Sequence, residues 1–144
     1  MSESGQPVTR ADLDAHIFRK SVPMQVTLQE ILKVAGGLKD KRCLAIGSTN
    51  AMLSYQLRRG GGVWQELVFD AAMAVTIREL VGEDVNISDD DSLPFSDKCF
   101  DLVVILDGLS DRASDAGFVE LCHKSLKPEG NLIVCVPREK KMTL

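Results

Sequence analysis

Residues 93–137 read LPFSDKCFDLVVILDGLSDRASDAGFVELCHKSLKPEGNLIVCVP, and the order of apolar runs in this stretch decides the fold. Phe100 to Leu106 (FDLVVIL) is nearly all apolar, as a central strand covered on both faces must be. Phe118, Leu121, Cys122, Ser125 and Leu126 then fall on one helical face. Lys127-Pro128-Glu129-Gly130 predicts a turn, and Asn131 to Val136 (NLIVCV) predicts another strand, ended by Pro137.

Upstream the same alternation recurs. Arg42 to Gly47 (RCLAIG) and Trp64 to Asp70 (WQELVFD) predict strands, and Val85 to Ile87 a short third one. Ala51 to Arg59 and Ala71 to Val81 predict the helices between them, with Gly60-Gly61-Gly62 closing the first. Another helix opens at Thr27, where Glu30 completes a capping box and Leu28, Ile31, Leu32 and Ala35 form one stripe, and it ends at Gly36-Gly37. Residues 1–26 carry Pro7 and Pro23 among scattered apolar positions, and predict a loosely held arm with one short helix around Asp12 to Lys20. Residues 27–144 then form one domain. Strands alternating with helices predict an α/β architecture: an open, doubly wound, mainly parallel sheet in the order 3-2-1-4-5, with helices on both faces. Such a sheet binds ligands at the carboxyl ends of its strands, beside the point where strand order reverses.

Composition bounds the function. With 44% hydrophobic and 26% charged residues the 144-residue chain reads as one globular domain. No apolar run approaches the roughly 20 residues of a membrane helix. The formal net charge of −4 gives no footprint for nucleic acid. The first residues lack the basic and then apolar order of a secretory leader, which points to the cytoplasm. Cys43, Cys99, Cys122 and Cys135 are widely spaced within apolar stretches and read as core thiols. Together with the two separated histidines, His16 and His123, they build no metal site.

Leu93 to Pro137 joins an LPF turn, an FDLVV strand, a helix ending in LKPEG and a last apolar strand. In that order and spacing it resembles the second half of the class I S-adenosylmethionine-dependent methyltransferases of the type-11 small-molecule group. With the LAIG strand upstream, the resemblance runs from roughly Lys41 to Pro137 and implies a Rossmann-like sheet that binds S-adenosylmethionine. In the family the first strand ends with an acidic residue and a glycine-rich turn, which lets the backbone approach the methionine and ribose portions of the cofactor. Here the turn reads Ala45-Ile46-Gly47-Ser48-Thr49-Asn50-Ala51. Gly47 fits, Ala45 stands in place of the acid, and Thr49 and Ala51 in place of later glycines. The resemblance therefore implies Gly47, Ser48 and Thr49 as cofactor-binding positions.

It also places Asp70, at the end of the second strand, on the ribose hydroxyls. Asp89 would face the exocyclic amine of adenine, and Asp90 would offer its backbone amide to the ring. Asp107, Ser110 and Asp111 follow the fourth strand, where the family carries polar residues facing cofactor and substrate. Asp107 is the candidate catalytic group, as general base or positioner of a nucleophile. From the residues alone, Asp70 is equally a helix cap and Asp89-Asp90-Asp91 a solvated loop.

The function implied is methyl transfer to a small-molecule acceptor. The alternative is a catalytically impaired, methyltransferase-like binding or scaffold protein, suggested by the altered turn. A nicotinamide-dependent oxidoreductase is disfavoured, because Gly47-Ser48-Thr49-Asn50-Ala51 lacks the G-x-G-x-x-G turn that pyrophosphate needs. The chain stops seven residues after Pro137, where the family's sheet continues through a further helix and an antiparallel strand pair. The resemblance thus implies an open fifth-strand edge, covered in a homodimer or by a partner protein.

Overall fold

In the computed structural model, residues 7–82, 85–88, 93–106 and 116–135 are described. They form α1 (Arg10–Lys20), α2 (Val22–Ala35), β1 (Arg42–Ile46), α3 (Ala51–Arg59), β2 (Val63–Val68), α4 (Ala71–Val81), β3 (Val85–Ile87), β4 (Phe100–Ile105), α5 (Ala116–Lys124) and β5 (Leu126–Val134). The strands make one sheet in the order β3-β2-β1-β4-β5, and every pair is parallel. This is the doubly wound arrangement that the alternating pattern predicts.

Alternation along the strands divides the core in two. Cys43 and Ala45 of β1, Trp64 of β2 and Leu102 and Val104 of β4 face Phe18 of α1, Leu28 and Ile31 of α2, and Leu53 and Leu57 of α3. The intervening residues Leu44, Ile46, Leu67, Val103 and Ile105 face Phe118 and Cys122 of α5. Helix α4 completes the first face, laying Met73, Ala74 and Ile77 against Val68 and Val85. With both faces covered, the central strands must be apolar throughout. Leu121, placed with Phe118 and Cys122 by helical spacing, is 36% exposed and lies at the margin of that stripe.

Two expectations from the sequence are corrected. Helix α2 opens at Val22 rather than Thr27: Ser21 caps it by accepting from the Met24 amide at 3.2 Å, and Pro23 sits in its first turn. A proline there forfeits no helical hydrogen bond, so it starts the helix instead of interrupting it. The boundary drawn after residue 26 consequently falls inside α2. The preceding segment is a regular helix, opened by a capping box in which the Asp12 amide donates to Thr9 Oγ1 at 3.1 Å and the Thr9 amide donates to Asp12 Oδ2 at 3.0 Å. It buries Asp14 and Phe18 and so is docked.

The second correction concerns Lys127-Pro128-Glu129-Gly130. These residues are drawn into β5 as a bulge: Phe100 pairs with Leu126, and Leu102 next with Asn131, so all four lie opposite Asp101. A Cβ at Gly130 would lie 2.9 Å from Leu126 Cδ2 and 3.1 Å from the Asp101 carbonyl. A side chain there would have to displace the end of Leu126 and press on the Asp101 carbonyl, so glycine suits that close approach. Asp101 also accepts from the Arg42 amide at 2.8 Å and from Lys127 Nζ at 3.3 Å. These two donors hold its carboxyl below the usual range, the Arg42 amide contributing most.

If α1 is docked through Phe18, Phe18→Ala lowers global stability by about 3 kcal/mol, as for other buried phenylalanines. Urea unfolding followed through the buried Trp64 measures this. A loosely held arm would give a change of less than about 0.5 kcal/mol.

Candidate functional site

The carboxyl end of β1 lies at the centre of the sheet, between β2 and β4. The chain leaves it through Gly47, whose φ of 78° lies in the left-handed region and whose amide donates to the Leu67 carbonyl at 2.9 Å. A side chain at this position would be strained. The next four residues need no glycine, since among the described residues Asp40 and Lys98 are the non-glycine positions with positive φ. Thr49 is exposed. Ala51, the first residue of α3, turns its methyl group into the cluster of Val68, Met73 and Ile77. Replacing the family's glycines at 49 and 51 therefore introduces no backbone strain.

The first turn of α3 is saturated with hydrogen bonds. Asn50 Oδ1 accepts from the Met52 and Leu53 amides at 2.9 and 3.1 Å. Asp14, reaching over from α1 and only 2% exposed, accepts from the Ala51 amide through Oδ2 at 2.8 Å. Its Oδ1 accepts from Arg10 Nε at 3.1 Å, and its backbone carbonyl accepts from Asn50 Nδ2 at 3.0 Å. A helix N-terminus normally offers free amides and a partial positive charge to an anion. Here an internal carboxylate already holds that place, which opposes a pyrophosphate.

Below the turn runs a buried polar chain. Ser48 Oγ donates to the Asn50 carbonyl at 3.1 Å and lies 2.7 Å from Ser54 Oγ, which is itself 2.7 Å from Glu66 Oε1. Glu66 Oε2 accepts from Arg58 Nη1 at 2.7 Å. Glu66 is wholly buried. Burial pushes its carboxyl above the usual value, against the opposing pull of the Arg58 charge and of the bond to Ser54. Sequence reasoning found neither Asp14 nor Glu66. The Thr9-x-x-Asp12 capping box could have revealed a firm α1, and a glutamate inside the apolar run WQELVF is the signal for the second.

Asp70 follows β2 and caps α4, its Oδ1 accepting from the Ala72 amide at 2.9 Å, with the side chain exposed. Gly47, Ser48, Thr49 and Asp70 all lie at the carboxyl end of the sheet. Asp89, Asp90, Asp107, Ser110 and Asp111 lie outside the described residues. Burial raises the thiols of Cys43 and Cys122 to about 11, so neither is a thiolate at neutral pH. Among the described residues no cluster of three His, Cys, Asp or Glu side chains could hold a metal, and no helix is long and apolar enough to cross a membrane.

A doubly wound sheet with a single left-handed glycine after β1, and a helix N-terminus already supplied with a carboxylate, defines a nucleotide-binding α/β domain not built for pyrophosphate. Residues 44–134 match the methyltransferase domain family, and the chain belongs to it. Among solved structures it resembles a Methanococcus maripaludis protein assigned as an S-adenosyl-L-methionine-dependent methyltransferase, with 19% identity and a TM-score of 0.71 over 93% of this chain and 66% of that one. A Haloferax volcanii protein assigned as a methyltransferase, in complex with the Trm112 methyltransferase activator, gives 20% identity and a TM-score of 0.71 over 86% of this chain and 55% of that one. A Geobacter sulfurreducens methyltransferase in complex with S-adenosyl-L-homocysteine gives 20% identity and a TM-score of 0.58 over 79% of this chain and 47% of that one. The chain thus spans from about half to two thirds of the length of these structures. No curated protein matches its sequence.

Removing the Asp14 carboxylate leaves the Ala51 amide buried without a partner. Asp14→Ala is expected to lower stability by about 1.5 to 3 kcal/mol, the range for a hydrogen bond to a charged group. Asp14→Asn keeps an acceptor and is expected to lose about 1 kcal/mol or less. Equal losses in urea unfolding of the two variants would show that the carboxyl oxygen is not what the α3 terminus requires.

Proposed function

We propose that this chain binds S-adenosylmethionine at the carboxyl ends of β1 and β2 and, in the cytoplasm, directs methyl transfer to a small-molecule acceptor. The observation that carries the reading is the β1–α3 turn of a methyltransferase-family chain. It keeps a left-handed Gly47 where a ligand needs close backbone approach, while Asp14 and Asn50 take the α3 amides that a phosphate would want. S-adenosylmethionine carries no phosphate, so that saturation does not oppose it.

When bound, the cofactor supplies an already activated methyl group, and the protein has chiefly to align donor and acceptor. Gly47, Ser48 and Thr49 lie against its methionine and ribose portions. Asp70 accepts the ribose hydroxyls while continuing to cap α4. The family resemblance assigns the adenine amine to Asp89, the ring to the Asp90 amide and the acceptor to Asp107. The scaffold alternative draws on the altered turn, with Ala45 in place of the acid and Thr49 and Ala51 in place of glycines, and the argument from the last two weakens where neither has a positive φ. The Haloferax volcanii protein is bound to an activator. By analogy, a second copy or a partner protein covers the edge at β5, where Val134 is 36% exposed.

Calorimetric titration tests the ligand class: S-adenosylmethionine and S-adenosylhomocysteine bind, and NAD gives no heat. Binding of NAD, or of none of the three, overturns the reading. Asp70→Asn separates its two roles, since asparagine caps a helix as well as aspartate does. Its stability stays within about 0.5 kcal/mol of the parent, while affinity for S-adenosylhomocysteine falls by about 1.5 to 3 kcal/mol. Unaltered affinity would leave Asp70 as a cap only.

A further inference from the structure

The chain Glu66, Ser54, Ser48, Asn50 carbonyl contains three contacts between polar oxygens, at 2.7, 2.7 and 3.1 Å. Three hydrogen bonds need three protons, and each serine hydroxyl has one. If the Glu66 carboxyl is protonated, all three form in one direction: Glu66 donates to Ser54, Ser54 to Ser48, and Ser48 to the Asn50 carbonyl. If it is ionised and Ser54 donates to it, Ser48 can serve Ser54 or the Asn50 carbonyl, but not both. The orientation of a hydroxyl in the β1–α3 turn is thereby set from inside the sheet.

Two further observations separate this arrangement from a simple ion pair. Arg58 uses Nη1 for both Glu66 Oε2 and the Ser54 carbonyl, at 2.7 and 3.1 Å, and its buried Nη2 has no partner among the described residues. The pair is therefore not a two-pronged fork, and the other oxygen of Glu66 is given to Ser54. In the sheet, Glu66 stands on the same rung as Ala45 of β1. The carboxylate that β1 lacks is thus supplied one strand away, on the same face.

We propose that Glu66 is a positioning residue for the cofactor turn, acting through Ser54 on the Ser48 hydroxyl. The proposal rests on the cofactor reading for its functional consequence. Its geometric content, a turn held by a buried relay, does not depend on any ligand.

The test uses the full chain with Ser54→Ala, Ser48→Ala, the double variant and Glu66→Gln. Two quantities are read: S-adenosylhomocysteine affinity by calorimetry, and amide exchange at residues 48–51 in the ligand-free protein. Ser54→Ala leaves the Glu66 contact with Arg58 in place but cuts the relay, so affinity falls about fivefold to tenfold, the size of one ordinary hydrogen bond. Ser48→Ala does the same, and the double variant is no worse than either alone, because one chain is broken once or twice. Glu66→Gln retains affinity within about twofold, since its amide donates to Ser54 while its carbonyl accepts from Arg58. Exchange at residues 48–51 speeds up in both alanine variants and not in Glu66→Gln. Should Ser54→Ala fail to fold, Ser48→Ala breaks the same chain at the turn.

Additive losses, or unchanged affinity in Ser54→Ala while the parent binds, would overturn the positioning role. A parent that binds no S-adenosylhomocysteine would instead sink the cofactor reading. The exchange data then decide the relay alone: unaltered exchange at residues 48–51 overturns it, and faster exchange upholds it.

Discussion

A carboxylate taken out of water must find donors where it is buried, and that of Asp14 finds the Ala51 amide and the Arg10 guanidinium. The arrangement of the turn follows from this. Asp14 belongs to a helix of 11 residues, too short to be stable alone, so α1 persists only while docked. Phe18 provides the apolar part of the docking and Asp14 the directional part. In return α1 fixes where α3 begins, and with it the course of the chain between Gly47 and Ala51. Asn50 is drawn into the same arrangement, capping α3 with its side-chain carbonyl and donating to the Asp14 backbone with its amide group. Three segments are thus held by groups that can satisfy one another only in this relative placement.

That placement bears on ligand chemistry. The positive end of a helix is a general anion site because its first amides lack partners. In this chain the partners are built in, and an incoming phosphate would meet a carboxylate. The surface beside the turn, by contrast, is open to solvent at Thr49 and, after β2, at Asp70. A ligand that uses hydroxyls, an adenine ring and an amino acid end suits such a surface better than a dinucleotide does. Under the cofactor reading, the missing glycines at 49 and 51 are a change of surface rather than a loss of the backbone conformation.

Much of this fold was legible in the sequence because its signals are local. The bounds of α3 and α4, and of β3, follow from apolar spacing and, for α3, from the glycine at 60. The apolar runs carry on a residue past the ends of β1, β2 and β4, because the residues that leave each strand are still packed on the core. The segment before Thr27 was misread for a physical reason: Pro23 is a breaker inside a helix and a starter in its first turn, and only the Ser21 cap tells the two apart. The candidate site was less legible. Gly47 and Asp70 occupy positions that a strand-turn-helix pattern marks, whereas Asp14 contacts Ala51 from 37 residues away and Ser54 meets Glu66 across 12. Pairings between elements leave no periodic trace.

Glu66 shows what such a hidden pairing implies. A wholly buried ion pair gains Coulomb energy but loses hydration, and replacing it by apolar residues of similar volume is often neutral or stabilising. Stability alone therefore gives no reason for a glutamate in the middle of β2, between Gln65 and Leu67, in a sheet whose surrounding positions on that face are filled by Cys43, Ala45 and Val104. What an apolar residue could not supply is a directed bond to Ser54, and through it a fixed orientation for Ser48. Methyl transfer from an activated donor depends on alignment far more than on acid or base strength. A protein with that task gains more from a rigid turn under the cofactor than from a better packed core, and the buried carboxyl stands where rigidity of the turn is decided.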